Sequence, residues 1–171
     1  MPELAATFPE RTSALVLVGS YARRTWAPDY PWGLDEETQQ RILLGYEKNW
    51  GQRDFGLSSL APSAIGDERF AEWYAQACRF GGTPSSALAW FKVTMEIDVR
   101  DVLPAIRVPT LVIQLAGDRV IPAESGHYLA THIPNAKYVV LDGIDHLPVT
   151  AGAEAVVDEI EEFLTGSRST R

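Results

Sequence analysis

Two residues have the type and spacing for acid–base chemistry: Asp118 in "LAGDRVIP" and His146 in "LDGIDHLP". Each follows an apolar run, Thr110 to Leu115 before the aspartate and Lys137 to Leu141 before the histidine. Their separation of 28 residues is the length of one helix, one strand and the turns between them. Functional groups of an open parallel sheet collect just past the C-terminal ends of its strands. Neighbouring strands lie about 4.8 Å apart, so side chains leaving adjacent strand tops reach hydrogen-bond distance. An aspartate bonded to one imidazole nitrogen fixes the ring tautomer and stabilises the imidazolium formed on proton abstraction. These are the last two members of a nucleophile–acid–histidine triad, in the order acid then base. The same spacing suits a polar pair that only caps two strand ends, and spacing alone leaves both alternatives open.

The elements needed to hold such a pair can be read along the chain. "MPELAATFPERT" looks like the last turns of a helix halted at Pro9, and "SALVLVGS", residues 13–20, is a short continuous apolar run of the kind buried on both faces of a parallel sheet. A helical region follows, from about Thr25 to Ile106. Asp35 caps a helix with Ile42, Leu43, Tyr46 and Trp50 on one stripe, ended by Gly51. Asp67 caps another with Phe70, Trp73, Tyr74 and Ala77 on one face, stopped at Gly81-Gly82. Thr83-Pro84 opens a third, where Leu88, Phe91 and Met95 recur at helical spacing. After the strand at Thr110 to Leu115, Ile121-Pro122 starts a helix carrying Tyr128, Leu129 and Ile133. Pro134-Asn135 turns into the strand at Lys137 to Leu141. A last helix from Ala153 to Thr165 turns Val156, Val157, Ile160, Phe163 and Leu164 inward and Asp158, Glu159, Glu161 and Glu162 to water. Such alternation means an α/β fold: a short parallel sheet with flanking helices and a helical insertion. The expected division is 1–24 with 107–166 for the sheet-bearing part, 25–106 for the insertion, and 167–171 for a frayed tail.

Composition narrows the function classes. The chain has 171 residues, 46% hydrophobic and 22% charged, with a net charge of −8. That charge argues against nucleic acid, which needs clustered Lys and Arg; Arg23-Arg24 is the one notable basic pair. One cysteine, Cys78, rules out an internal disulfide framework, and its place in an apolar helical pattern marks a buried thiol. No apolar run is long enough to span a membrane and no signal peptide is visible, so the expected location is cytoplasmic. No metal site is expected, because His127 and His132 fall on different helix faces with no third ligand nearby. No cofactor is expected, because no Gly-rich phosphate loop is present. Glu161-Glu162 is a solvated helix face.

"DVRDVLPAIRVPTLVIQLAGDRVIP", residues 98–122, followed by "YVVLDGIDHLP", residues 138–148, resembles the C-terminal part of α/β-hydrolases. "AATFPERTSALVLVGSYAR", residues 5–23, resembles the helix behind the nucleophile and the next strand of that family. The resemblance covers nearly the whole chain, with the helical insertion in the place of the family's cap. It is carried by a strand ending in Gly-Asp-x-x-x-Pro and a later strand ending in Asp-His. It implies a partial α/β-hydrolase fold of esterase or lipase type, with Asp118 as triad acid and His146 as triad base, and it leaves open the epoxide hydrolases and dehalogenases of the family, which place an aspartate at the nucleophile position and share the same acid and base. The nearest likeness is to hydrolase domains fused to nucleotide cyclases or helix-turn-helix regulators.

The sequence departs from the family at the nucleophile, which sits there in a G-x-S-x-G strand–turn–helix elbow. Ser20 has Val18 and Ala22 at the flanking positions, Ser58 has Gly56 and Leu60, and Ser125 has Ala123 and His127. The resemblance places the elbow just before the helix at residues 1–8, together with the oxyanion-hole donors. Three expectations follow: a C-terminal fragment of a complete hydrolase, a catalytically dead relic, or a half completed by a second chain. In each case this chain alone is expected to be inactive. The alternative is a non-catalytic module that binds a small ligand or a partner. The strand at 14–18 is expected to present a bare apolar edge and to drive homo-oligomer formation.

All five tryptophans fall in the insertion. They read either as an apolar lid over a pocket for a small apolar ester-like substrate or as the core of small helices. Trp26 and Trp32, in the Pro-rich "TWAPDYPWG", are candidate substrate-binding residues, with Tyr21 just past the first strand.

Overall fold

The computed structural model describes residues 2–168. In chain order its elements are α1 (Pro2–Thr7), β1 (Leu15–Val18), α2 (Glu36–Asn49), α3 (Leu57–Leu60), α4 (Glu68–Gly81), α5 (Pro84–Met95), β2 (Thr110–Leu115), α6 (Ala123–His132), β3 (Lys137–Leu141) and α7 (Ala153–Thr165). Arg23–Asp98 forms one compact unit, and the segments on either side of it form the other.

The sheet-bearing unit is a three-stranded parallel sheet in the order β1-β2-β3. β2 is central and buried at every residue, as its unbroken apolar run requires. Leu111, Ile113 and Leu115 on one face meet Val156 of α7, with Val16, Val18, Val139, Leu141, Ile160 and Phe163 packed around them. Fully burying side chains such as Leu111 and Ile113 contributes roughly 1.5–3 kcal/mol each. On the opposite face Gln114 lies against Gly126 of α6. Its Nε2 donates to the carbonyl of Ile121 at 2.8 Å. Val99–Ile106, expected in the insertion, belongs instead to this unit. Its 3-10 turn buries Leu103 and Ile106 completely, so this segment is core rather than cap.

The insertion is a unit of helices whose caps follow the sequence. Asp35 accepts from the Thr38 amide at 2.7 Å, and Asp67 from the Arg69 and Phe70 amides at 2.9 and 3.0 Å. Thr83 accepts from the Ser86 amide at 3.2 Å. Its two ends are clasped together: Arg23 and Asp98 form a salt bridge at 2.8 Å, and the Arg24 amide donates to Ile97. Tyr46 stacks on Phe91 and Trp50 with ring centroids 4.8 and 5.5 Å apart, and meets Phe55 edge-on. Much of the aromatic content is therefore the unit's own core.

Two helix faces assigned from sequence are corrected. On α4 the buried stripe is Ala71, Ala75 and Cys78, while Trp73 is 52% exposed and Ala77 is exposed. Small residues let the helix approach its neighbours closely, and the larger side chains turn outward. On α7, Val157 and Leu164 are exposed, whereas Glu159 is buried. Glu159 is tolerated there because Lys137 pairs with it at 3.2 Å and Arg168 bonds it as well. Arg168 also holds Glu162 at 2.7 Å, so this part of the expected frayed tail is tied to α7. The rest of that tail lies outside the described residues.

Candidate active site

The site begins with how β2 and β3 end. Their pairing runs to Leu115 and Leu141, and backbone bonds continue past it. The Ala116 amide donates to the Leu141 carbonyl at 2.9 Å, and the Gly117 amide to the Gly143 carbonyl at 2.8 Å. A Cβ on Gly117 would stand 2.8 Å from Ile144 and 2.9 Å from the Gly143 carbonyl oxygen. Glycine there lets the two loops close on each other, which brings their side chains together.

Asp118 follows directly. Its Oδ1 accepts from the amides of Val120 and Ile121 at 2.7 and 3.1 Å, which closes the turn into α6. Gln114 holds the far end of the same turn through the Ile121 carbonyl. Oδ2 of Asp118 is 2.8 Å from Nδ1 of His146. The Asp118 side chain is 1% exposed and that of His146 is 25% exposed. The acid is thus sequestered, while the base keeps contact with solvent.

These contacts set the protonation pattern. A carboxylate only accepts, so the neutral imidazole carries its proton on Nδ1 and offers Nε2 as an acceptor. Among the described residues, no serine, threonine or cysteine hydrogen-bonds to His146. The three serines considered from sequence lie elsewhere. Ser20 Oγ donates to the Val18 carbonyl at 3.1 Å, Ser125 is buried in α6, and Ser58 is in α3 of the other unit.

Two further residues of this site went unnoticed in the sequence. Gly19, at the end of β1, has φ +50°, and its amide donates to the Ile113 carbonyl at 3.0 Å. A Cβ there would stand 3.2 Å from Asp118 Oδ2 and from both Cε1 and Nδ1 of His146. Its signal was a glycine directly after a buried strand. Gln114 is the other, signalled by a polar residue inside an apolar run.

The candidate substrate residues are not gathered in one unit. Tyr21 is half-buried in the bend after β1 in the sheet-bearing unit. Trp26 and Trp32 belong to the insertion, where Trp26 is half exposed and Trp32 packs on buried Tyr30 with ring centroids 4.7 Å apart. The insertion also holds a cleft of about 450 Å³ lined by Tyr46, Trp50, Tyr74, Cys78 and Trp90. Burial pushes the Tyr46 and Tyr74 phenols and the Cys78 thiol upward, against a weaker lowering of the thiol by its hydrogen bond to Tyr74 and by Arg79. The cleft therefore presents uncharged groups at neutral pH. Among the described residues no helix is long and apolar enough to cross a membrane, and no cluster of three His, Cys, Asp or Glu is placed to hold a metal ion.

Comparison with known proteins bears on this geometry. A family profile described as TAP-like protein (Abhydrolase_4) matches residues 87–170. A pimeloyl-[acyl-carrier protein] methyl ester esterase of Neisseria meningitidis is 28% identical over 165 residues, covering 95% of this chain and 64% of the relative. Strigolactone esterase D14 of Arabidopsis thaliana is 32% identical over 142 residues, covering 82% of this chain and 52% of the relative. Among solved structures, a bromoperoxidase from Bacillus anthracis superposes with a TM-score of 0.80 at 24% identity, over 95% of this chain and 63% of its own. The chain spans less than two thirds of the length of these relatives.

Proposed function

The chain belongs to the α/β-hydrolase superfamily, and on that premise we propose that it is the cap and acid–base portion of an ester hydrolase. Asp118 is the triad acid and His146 the triad base. The observation that carries this reading is the 2.8 Å bond from Nδ1 to a carboxylate whose other oxygen is already held by two amides. A carboxylate fixed in that way orients the ring without being drawn away by it. Nε2 then takes the proton of an attacking hydroxyl, and Asp118 stabilises the imidazolium. The proton passes to the leaving alkoxide as the tetrahedral intermediate collapses.

The sequence has no G-x-S-x-G, so the hydroxyl and the oxyanion donors are proposed to come from residues outside this chain's own 171. The substrate class is a small apolar ester, in keeping with the ester-cleaving names of the relatives. Tyr21, Trp26 and Trp32 are its proposed contacts. A cytoplasmic setting, with Cys78 a reduced thiol, is part of the same reading.

The test is hydrolysis of a short nitrophenyl ester by the purified chain and by His146→Ala. The expected result is no turnover from either. Turnover lost in His146→Ala would keep the base and place a nucleophile within the chain. Turnover retained in His146→Ala would overturn the assignment of His146.

A second reading, binding to another copy, is favoured by one feature. Among the described residues β1 pairs with β2 alone, and its register turns the amides of Leu15 and Gly19 toward β2. The alternate residues Val16 and Val18 therefore aim their backbone groups at the sheet's open edge. Residues 14–18 are proposed to join two copies there. Light scattering checks this, and a monomer refutes it.

A further inference from the structure

The close approach of Gly19 to the Asp118–His146 hydrogen bond has consequences of its own. The end of β1 is the third strand top at the site, and it contributes no side chain. Its amide bond to Ile113 pins the Gly19 backbone to the strand that delivers Asp118. Its left-handed φ of +50° is a conformation that favours glycine. Independently, the space a Cβ would need is filled by both partners of the bond: Asp118 Oδ2, His146 Cε1 and His146 Nδ1, all at 3.2 Å. Carbon–carbon contacts are best near 3.5–4.0 Å, so the ring would have to shift by several tenths of an ångström. Asp118 has little freedom to shift with it, because Oδ1 is held by two amides.

We propose that Gly19 is a positioning residue: its bare Cα forms the wall against which the His146 ring is seated on Asp118, and any side chain at position 19 displaces the ring. The catalytic importance of this wall rests on the triad reading above, but the seating itself does not. Two effects of substitution need separating. Backbone strain at a positive φ would destabilise the chain wherever it occurred. Displacement of the ring is specific to this site.

A double-mutant cycle combined with nitrogen NMR makes the separation. Gly19→Ala is compared with wild type, and Gly19→Ala/His146→Ala with His146→Ala. Removing the imidazole removes two of the three crowded contacts but leaves the backbone strain. The Tm loss caused by Gly19→Ala is therefore expected to be smaller in the His146→Ala background by about 2 °C or more. Gly19→Asn, whose residue type tolerates the left-handed region, adds a Cβ with less strain. The chain has three histidines, so the His146 nitrogens are readily assigned. Wild-type His146 is expected as the Nδ1–H tautomer, and both Gly19 variants as a mixture in which that form has fallen at least twofold. Equal Tm losses in the two backgrounds, failure to fold in both, or an unchanged tautomer in folded Gly19→Ala or Gly19→Asn would overturn the proposal. A wild-type ring protonated on Nε2 would instead overturn the Asp118–His146 pairing itself, so the two failures are distinguishable.

Discussion

Replacing Asp118 separates the two tasks of its carboxylate. Oδ1 closes the turn through the amides of Val120 and Ile121 at 2.7 and 3.1 Å, and Oδ2 holds His146 at 2.8 Å. Asp118→Ala removes all three acceptor contacts. A hydrogen bond to a charged group contributes roughly 1.5–3 kcal/mol, and deleting a buried charge returns part of that by ending its desolvation. About 1 kcal/mol for each of the three contacts gives a loss of about 3 kcal/mol. At about 2–4 °C per kcal/mol for a chain of this length, Tm falls by roughly 6–12 °C. Asp118→Asn behaves differently. Its carbonyl oxygen still serves the two amides, so Tm stays within about 4 °C of wild type. Its NH₂ group now faces Nδ1 and can only donate, which forces the neutral ring to carry its proton on Nε2. Thermal melts and nitrogen NMR of both variants read the two effects separately. If Asp118→Ala melts with the wild type, or Asp118→Asn leaves Nδ1 protonated, the carboxylate does not hold the turn or the ring as described.

Cys78 is buried and its thiol is pushed upward by that burial, so at pH 7 it should resist iodoacetamide in the native chain and react in urea, as read by mass spectrometry. Rapid native labelling would show the α4 stripe to be wrongly placed. The Asp35 carboxyl is lowered from its ordinary 3.8 by its bonds to the Thr38 amide and hydroxyl. A group lowered on folding contributes stability that is fully present above its unfolded value and is lost as pH falls through its folded value. The stability difference between wild type and Asp35→Ala should therefore be constant from pH 7 to about 5 and shrink below about 4. A difference that grows on acidification would contradict the cap.

The strands and most helix starts were legible because each carries a local signal. β2 and β3 begin and end at the expected residues, since a largely apolar run that starts after Pro109 or Ala136 and stops at Ala116-Gly117 or Asp142-Gly143 has few alternatives. Asp35, Asp67 and Thr83 cap where expected because capping is settled within one helical turn. The faces of α4 and α7 were less legible. Large apolar side chains attract an inward assignment, yet α4 buries alanines and Cys78, and α7 buries a glutamate that Lys137 and Arg168 neutralise. These outcomes depend on the distance to neighbouring elements, which no single segment encodes. The same limit hid Gly19. A glycine after a strand reads as an ordinary turn until the side chains from two other strands are seen to fill its missing Cβ.

That crowding bears on the two alternatives spacing left open, a working acid–base pair or a cap for two strand ends. Capping accounts for Oδ1 of Asp118, whose two amide bonds close the turn into α6. It does not account for Oδ2. A turn of this kind needs one acceptor oxygen, which an asparagine supplies without a buried charge. Burying a carboxylate to 1% exposure and setting an imidazole on its second oxygen adds desolvation that an apolar pair of the same volume would avoid. The arrangement adds little as a stabilising device. Its distinctive product is a ring of fixed tautomer whose Nε2 is left to accept a proton, and Gly19 walls the hydrogen bond that fixes it. The crowding couples position 19 to the imidazole under either reading, and only the acid–base reading gives that coupling a chemical use. A Gly19–His146 coupling near zero would therefore count against the wall alone, whereas a wild-type ring without its proton on Nδ1 would count against the pair and the chemistry it serves.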